Sequence, residues 1–174
     1  MSLVLQKAPH FTAGVYVKGG DVTKDTFSLA DRKGKWTVLF FYPLDFTFVC
    51  PTELRSLAER HEQFKKLGAE IVAVSVDSVF THKAWYEKDL NDVKYPVVAD
   101  LTKQISKDYG VLNESTGFAL RGAFIVDPEG TVVYEVVSSP AIGRNTDEVL
   151  RALQAAQTGE LCPVNWKPGD KTIK

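Results

Sequence analysis

The sequence predicts an α/β domain whose mixed central sheet is flanked by helices, with an N-terminal extension and a C-terminal tail. Three observations carry that prediction. Apolar, β-rich runs alternate with segments of helical period, turn signals separate them, and a Pro-Gly turn near the end joins two strands directly. At 174 residues and 44% hydrophobic content, the chain suits one compact domain spanning 1–174, with 159–174 as the tail.

Turns are marked by "KGG" at Lys18–Gly20, "DRKGK" at Asp31–Lys35 and "DPEG" at Asp127–Gly130. "TVLFFY", Thr37 to Tyr42, is apolar at nearly every position, as a central strand covered on both faces must be. The period then changes. Leu54, Leu57, Ala58, Phe64 and Leu67 predict an amphipathic helix over about Pro51–Lys66, ended by Gly68. "EIVAVSVD", Glu70–Asp77, repeats the buried-strand pattern. A polar-aromatic helix over Val79–Leu90, a short strand at Val97 and Val98, and a short helix around Lys103–Tyr109 continue the alternation. "FALRGAFIVDPEGTVVYEVV", Phe118–Val137, breaks it, because two strands joined by a tight turn form an antiparallel hairpin. A last helix over Thr146–Thr158 precedes the tail. A strand, helix, strand opening with a closing hairpin and helix is thioredoxin-like in outline, and an outline does not establish a function.

Charge and composition exclude several classes. Lys+Arg at 21 against Asp+Glu at 22 leaves a formal net charge of −1, so neither nucleic acid nor an anionic membrane is favoured as a partner. The start, "MSLVLQKAPHF", lacks a basic segment followed by roughly 7–15 apolar residues, and apolar runs such as Val38–Tyr42 are far too short to span a bilayer. A cytoplasmic protein is the expectation. In that compartment thiols stay reduced and disulfides serve catalysis or sensing, which makes Cys50 and Cys162 candidates for chemistry.

Cys50 stands where the central strand hands over to the first helix, in "FYPLDFTFVCPTELRSL". A thioredoxin-type oxidoreductase would carry Cys-x-x-Cys at this corner, whereas here the second position is Glu53. With Cys50 as N-cap, Pro51 takes N1, where its missing N–H costs nothing, and Glu53 takes N3, from which it reaches back as in a capping box. The unpaired donors and positive end of the helix favour a thiolate. Glu53 opposes it, so the site must recruit a cation. Arg121 is the candidate, since it shares a strand face with Ala119, Ala123 and Ile125; the competing reading is an edge-strand arginine in solvent.

Ionisation alone does not carry the rate. An ordinary free thiol is roughly 3% ionised at pH 7, so near-complete ionisation gains about 30-fold. The accompanying fall in nucleophilicity takes back about 10- to 18-fold. Donors that hold the electrophile and stabilise its departing oxygen must supply the rest, and Arg121, the Thr47 hydroxyl and the backbone N–H groups at the helix start are available.

"PLDFTFVCPTE", Pro43–Glu53, resembles the signature of the peroxiredoxins, of the typical two-cysteine, alkyl hydroperoxide reductase C type. "SVDSVFTHKAW", "GAFIVDPEG", "IGRNTDEVLR" and "LCPVNW" resemble later blocks of that family in the same order. The resemblance implies a thioredoxin-like fold and a thiol-dependent peroxidase acting on hydrogen peroxide and alkyl hydroperoxides. It makes Cys50 the peroxidatic cysteine, Thr47 a hydrogen-bonding partner of peroxide, Pro43 a shield of the pocket and Arg121 the holder of thiolate and peroxide. Arg144 becomes a second arginine linked through Glu53, and Cys162 the resolving cysteine, contributed by the partner subunit. It implies that Cys50 is oxidised to sulfenic acid and condenses with Cys162, and that thioredoxin or a flavoprotein disulfide reductase reopens the disulfide. The resemblance further implies a homodimer, commonly assembled into a ring-shaped decamer, and no metal or organic cofactor.

Other readings of the polar residues are weaker. His10, His61 or His82 could complete a cysteine–histidine hydrolase, yet His61 lies deep in the helix that Cys50 opens, and no Asn or Asp pattern supplies an orienting third member. No close ligand pair builds a metal site, which leaves solvated histidines as the expectation. Trp85 and Trp166 read as packing anchors, and Cys162 could be a spare surface thiol. A holdase or redox adaptor, oxidised once without turnover, is the rival functional class. Two departures from peroxide-sensitive members, no glycine in "YEKDLNDVKYPVV" and only the polar "PVNWKPGDKTIK" after Cys162, lead us to expect disulfide formation to outrun over-oxidation.

Overall fold

The computed structural model describes residues 2–173. Seven strands form one mixed sheet in the order β2-β1-β5-β4-β3-β8-β9. They are β1 (Thr12–Tyr16), β2 (Thr26–Ser28), β3 (Trp36–Phe41), β4 (Ala69–Ser75), β5 (Val97–Ala99), β8 (Arg121–Val126) and β9 (Val132–Ser138). A separate two-stranded sheet pairs β6 (Leu112–Asn113) with β7 (Phe118–Ala119). The helices are α1 (Cys50–Lys66), α2 (Val79–Asp89), α3 (Gln104–Asp108) and α4 (Thr146–Thr158).

β3 is central because it is apolar on both faces. It pairs parallel with β4, from Trp36↔Ala69 to Phe41↔Val74, and antiparallel with β8, from Thr37↔Val126 to Phe40↔Ala123. Alternation sorts its side chains into two cores. Val38, Phe40 and Tyr42 meet Leu54 and Leu57 of α1, Trp85 and Tyr86 of α2, and Leu153 of α4. Leu39 and Phe41 meet Phe27, Tyr109 and Phe124 on the other face. Trp85 and Trp166 are buried, as packing anchors should be.

The structure departs from the sequence expectations in two places. β1, β2 and a short 3-10 turn at Leu29–Arg32 precede β3, where only an extension was expected; β2 has three residues, too few to declare a period. The first arm of the closing hairpin is split. Leu120 donates its N–H to Val111 O at 2.7 Å, which ends β7 and resets the alternation before β8. Ala119 therefore packs in the second core, and Arg121 shares its face with Ala123 and Ile125 but not with Ala119. The tail returns to the body of the fold: Leu161 bridges Ile173, and Arg151 of α4 donates to Trp166 O at 3.3 Å.

Candidate active site

The end of β3 delivers Tyr42 into the loop Pro43–Val49, and α1 then opens on Cys50. Cys50 is fully buried and free, at the first position of the helix. Its expected place as N-cap goes instead to Val49, already helical at φ −80°, ψ −39°. The capping box does not form. Both Glu53 oxygens are turned to Arg121 and Arg144, whose full positive charges and forked donors offer the carboxylate more than the single backbone N–H of a capping box. Pro51 follows in the first turn, where a missing N–H is tolerated.

The register of the sheet brings the first arginine in. Phe40 faces Ala123 across β3 and β8, so Arg121, two residues earlier on the antiparallel strand, comes level with the end of β3. Far from being an edge-strand arginine in solvent, it is 3% exposed. Its Nη1 lies 3.5 Å from Cys50 Sγ and donates to Glu53 Oε2 at 2.7 Å, and its Nε donates to Pro140 O at 2.7 Å. Arg144, from the loop before α4, donates through Nε to Glu53 Oε1 and through Nη2 to Oε2, both at 2.9 Å. Its backbone N–H also reaches Oε1 at 2.7 Å, and its Nη1 donates to Gly122 O at 2.6 Å.

Burial by itself would push the Glu53 carboxyl up; the hydrogen bonds and charge of Arg144, with Arg121 behind it, outweigh that and hold it below the usual range. Burial draws the Arg144 guanidinium down, and Glu53 opposes the change. Glu53 is therefore ionised at neutral pH, and one carboxylate between two guanidiniums leaves a positive charge beside Cys50. The cation that the sequence demanded beside Glu53 is thus present twice.

Thr47 and Pro43 lie in the loop between β3 and α1. Pro43 is buried, and half-buried Thr47 donates its hydroxyl to Leu44 O at 2.8 Å, which fixes the loop and leaves the oxygen's lone pairs free. Cys162 stands apart in the tail, half-buried, 3.5 Å from Thr158 Oγ1 and 3.8 Å from Ala155 O. It is a free thiol.

The expectation of solvated histidines fails for His82. Its side chain is fully buried, and Nδ1 lies 2.7 Å from Asp45 Oδ2, whose carboxylate also accepts from Tyr42 Oη at 2.6 Å. The Asp45 N–H donates to Asp77 Oδ2 at 2.9 Å, so this network ties the loop before Cys50 to β4 and α2. The available signal was spacing, because 82, 85 and 86 share one helical face with buried Trp85 and Tyr86. His61 is half-buried, edge-on to Tyr95, and His10 is exposed. Among the described residues, the hydrogen-bonded side-chain partner of Cys50 is Arg121 and no histidine.

A family model described as the AhpC/TSA family matches residues 4–135. The chain belongs to the peroxiredoxins of this family. A second model, described as the C-terminal domain of 1-Cys peroxiredoxin, matches residues 152–174, the segment that holds Cys162. This peroxiredoxin is 47% identical to the Bacillus subtilis protein YkuU over 98% of both chains. It is 48% identical to the chloroplastic 2-Cys peroxiredoxin BAS1 of Hordeum vulgare, over 100% of this chain and 86% of that one. Among solved structures, reduced 2-Cys peroxiredoxin of Plasmodium vivax superposes with a TM-score of 0.94 at 36% identity, covering 100% of this chain and 94% of the other. AhpC of Enterococcus faecalis gives 0.88 at 39% identity, covering 94% and 100%. The protein is thus a thiol peroxidase of the typical two-cysteine peroxiredoxin type, on a thioredoxin-like fold.

Proposed function

We propose that Cys50 is the peroxidatic thiol and that Cys162 of the partner subunit resolves it. The observation that carries this reading is the Arg121 nitrogen 3.5 Å from Cys50 Sγ, held there by Glu53 and the Pro140 carbonyl. The Cys50 thiolate attacks the near oxygen of hydrogen peroxide or an alkyl hydroperoxide. The O–O bond breaks, the far oxygen leaves with a proton as water or alcohol, and Cys50 becomes a sulfenic acid. Charge that starts on sulfur ends on the departing oxygen, so a donor able to bond both lowers the barrier along the whole displacement. Arg121 supports that role by its position. The Thr47 hydroxyl serves to orient the peroxide, and Pro43 keeps water out of the pocket.

The sulfenic acid then condenses with the resolving thiol and releases water. Because Cys50 is fully buried in the first turn of α1, that turn must unwind before two sulfurs can reach bonding distance. An external dithiol, thioredoxin or a flavoprotein disulfide reductase, takes over the disulfide and restores both thiols, so the cycle runs without a metal or organic cofactor. The working unit in this reading is a homodimer, assembled into a ring-shaped decamer in the cytoplasm, a compartment whose dithiol reductants suit two free cysteines. Peroxide consumption coupled to a thioredoxin system tests the cycle: sustained turnover is expected, whereas one oxidation per chain followed by arrest would mark a redox adaptor.

A further inference from the structure

The guanidinium carbon of Arg144 lies 3.3 Å from the centre of the Phe40 ring, so the cation rests on an aromatic face. Phe40 is fully buried in β3 and belongs to the same core cluster as Cys50. In register it is flanked by Ala73 on β4 and Ala123 on β8, and these two small neighbours leave room over the ring for a planar group. The edges of the Arg144 guanidinium are spent on Glu53 and Gly122 O, and its face is spent on Phe40.

The electrostatics explain why a ring suits this place. Arg121 and Arg144 share a single carboxylate and repel each other, and the surplus positive charge stands beside Cys50 Sγ. A second carboxylate under Arg144 would relieve the repulsion and cancel the field at sulfur. An aromatic face attracts the cation through its quadrupole while adding no net charge. It therefore seats Arg144 and leaves the surplus intact.

We propose that Phe40 is a positioning residue for peroxide reduction: its ring seats Arg144, and through Glu53 that contact holds Arg121 against Cys50 Sγ. The inference rests on the reading of Cys50 as the thiol that attacks peroxide. A plain core role for Phe40 would need only volume, so the two are separated by changing the quadrupole at nearly constant shape. 4-Fluoro-, 3,5-difluoro- and 3,4,5-trifluorophenylalanine replace Phe40 in the full chain, and the second-order rate of Cys50 oxidation by hydrogen peroxide is measured by rapid quench and intact mass. The rate should fall stepwise with fluorine number, to roughly 10-fold slower in the trifluoro protein, and Phe40→Leu should fall at least as far. The same series at Phe124, buried on the opposite face of the sheet, should leave the rate unchanged, and the fluorine dependence should vanish in an Arg144→Gln background. A flat series at position 40 in a chain that reacts with peroxide overturns the inference alone, as does an equal decline at position 124 or one that persists without Arg144. An unsubstituted chain inert to peroxide overturns the reading of Cys50 and this inference with it.

Discussion

Arg121 and Cys50 meet through a single nitrogen, Nη1, which stands 3.5 Å from Sγ while the same guanidinium is fixed at two other points, Glu53 Oε2 and Pro140 O. A charge alone cannot hold that geometry. Arg121→Lys keeps the charge and loses the planar fork, so the second-order rate with peroxide should fall by about 10²–10³-fold. The thiolate fraction, read by alkylation against pH, should change much less. A mutant slowed only in proportion to lost thiolate would remove direct contact with peroxide from the account.

Glu53 is the shared counter-ion of two buried guanidiniums. Glu53→Gln leaves both without a carboxylate and should cost about 3–5 kcal/mol of stability, measured by urea denaturation. The sign of the pH dependence follows from the held-down carboxyl. A folded-state value below the unfolded one stabilises the fold fully above the ordinary glutamate range, near about 4.3, and that contribution is lost as pH falls through the lower folded value. The wild-type chain should therefore lose stability on acidification below about pH 4.3, and the variant should show a shallower acid limb.

His82 and Asp45 make a buried pair with no exposed side-chain surface. His82→Leu strands the carboxylate with the Tyr42 hydroxyl as its remaining side-chain partner and should cost about 3 kcal/mol, whereas adding Asp45→Asn should recover part of that loss. Thermal unfolding of both single variants and the double variant checks it; strictly additive losses would show that the pair is not a unit.

The elements that the sequence discloses well are those with a long, strong period. The helix at Thr146–Thr158 is read to the residue, and the cysteine, the proline after it and the need for a cation at that corner follow from the chemistry of a helix start. What the sequence conceals is set by contacts far along the chain. Glu53 looks like a capping residue from its spacing, and the arrival of Arg121 and Arg144, 68 and 91 positions on, turns its carboxylate elsewhere. Leu120 resets the strand because Val111 offers it a carbonyl, which no alternation of apolar residues encodes. His82 is polar by type and buried by its place beside Trp85 and Tyr86, so residue type misleads where helical spacing does not.

The two cysteines should separate cleanly in function. Cys50→Ser should abolish peroxide reduction, and Cys162→Ser should keep the first oxidation at the wild-type rate while losing thioredoxin-dependent cycling. Single-turnover and steady-state assays on the same preparations distinguish these outcomes; equal steady-state activity in both variants would cancel the assigned roles.

The most direct test of the central claim is the fate of the reduced chain after one equivalent of hydrogen peroxide, followed by intact mass and a non-reducing denaturing gel. If Cys162 of the partner subunit resolves Cys50, as we propose, the two thiols that are free here join in a covalent dimer reversible by a dithiol. An oxidised band that stays at monomer size would contradict resolution between subunits, and unchanged thiols would contradict a peroxidase at Cys50.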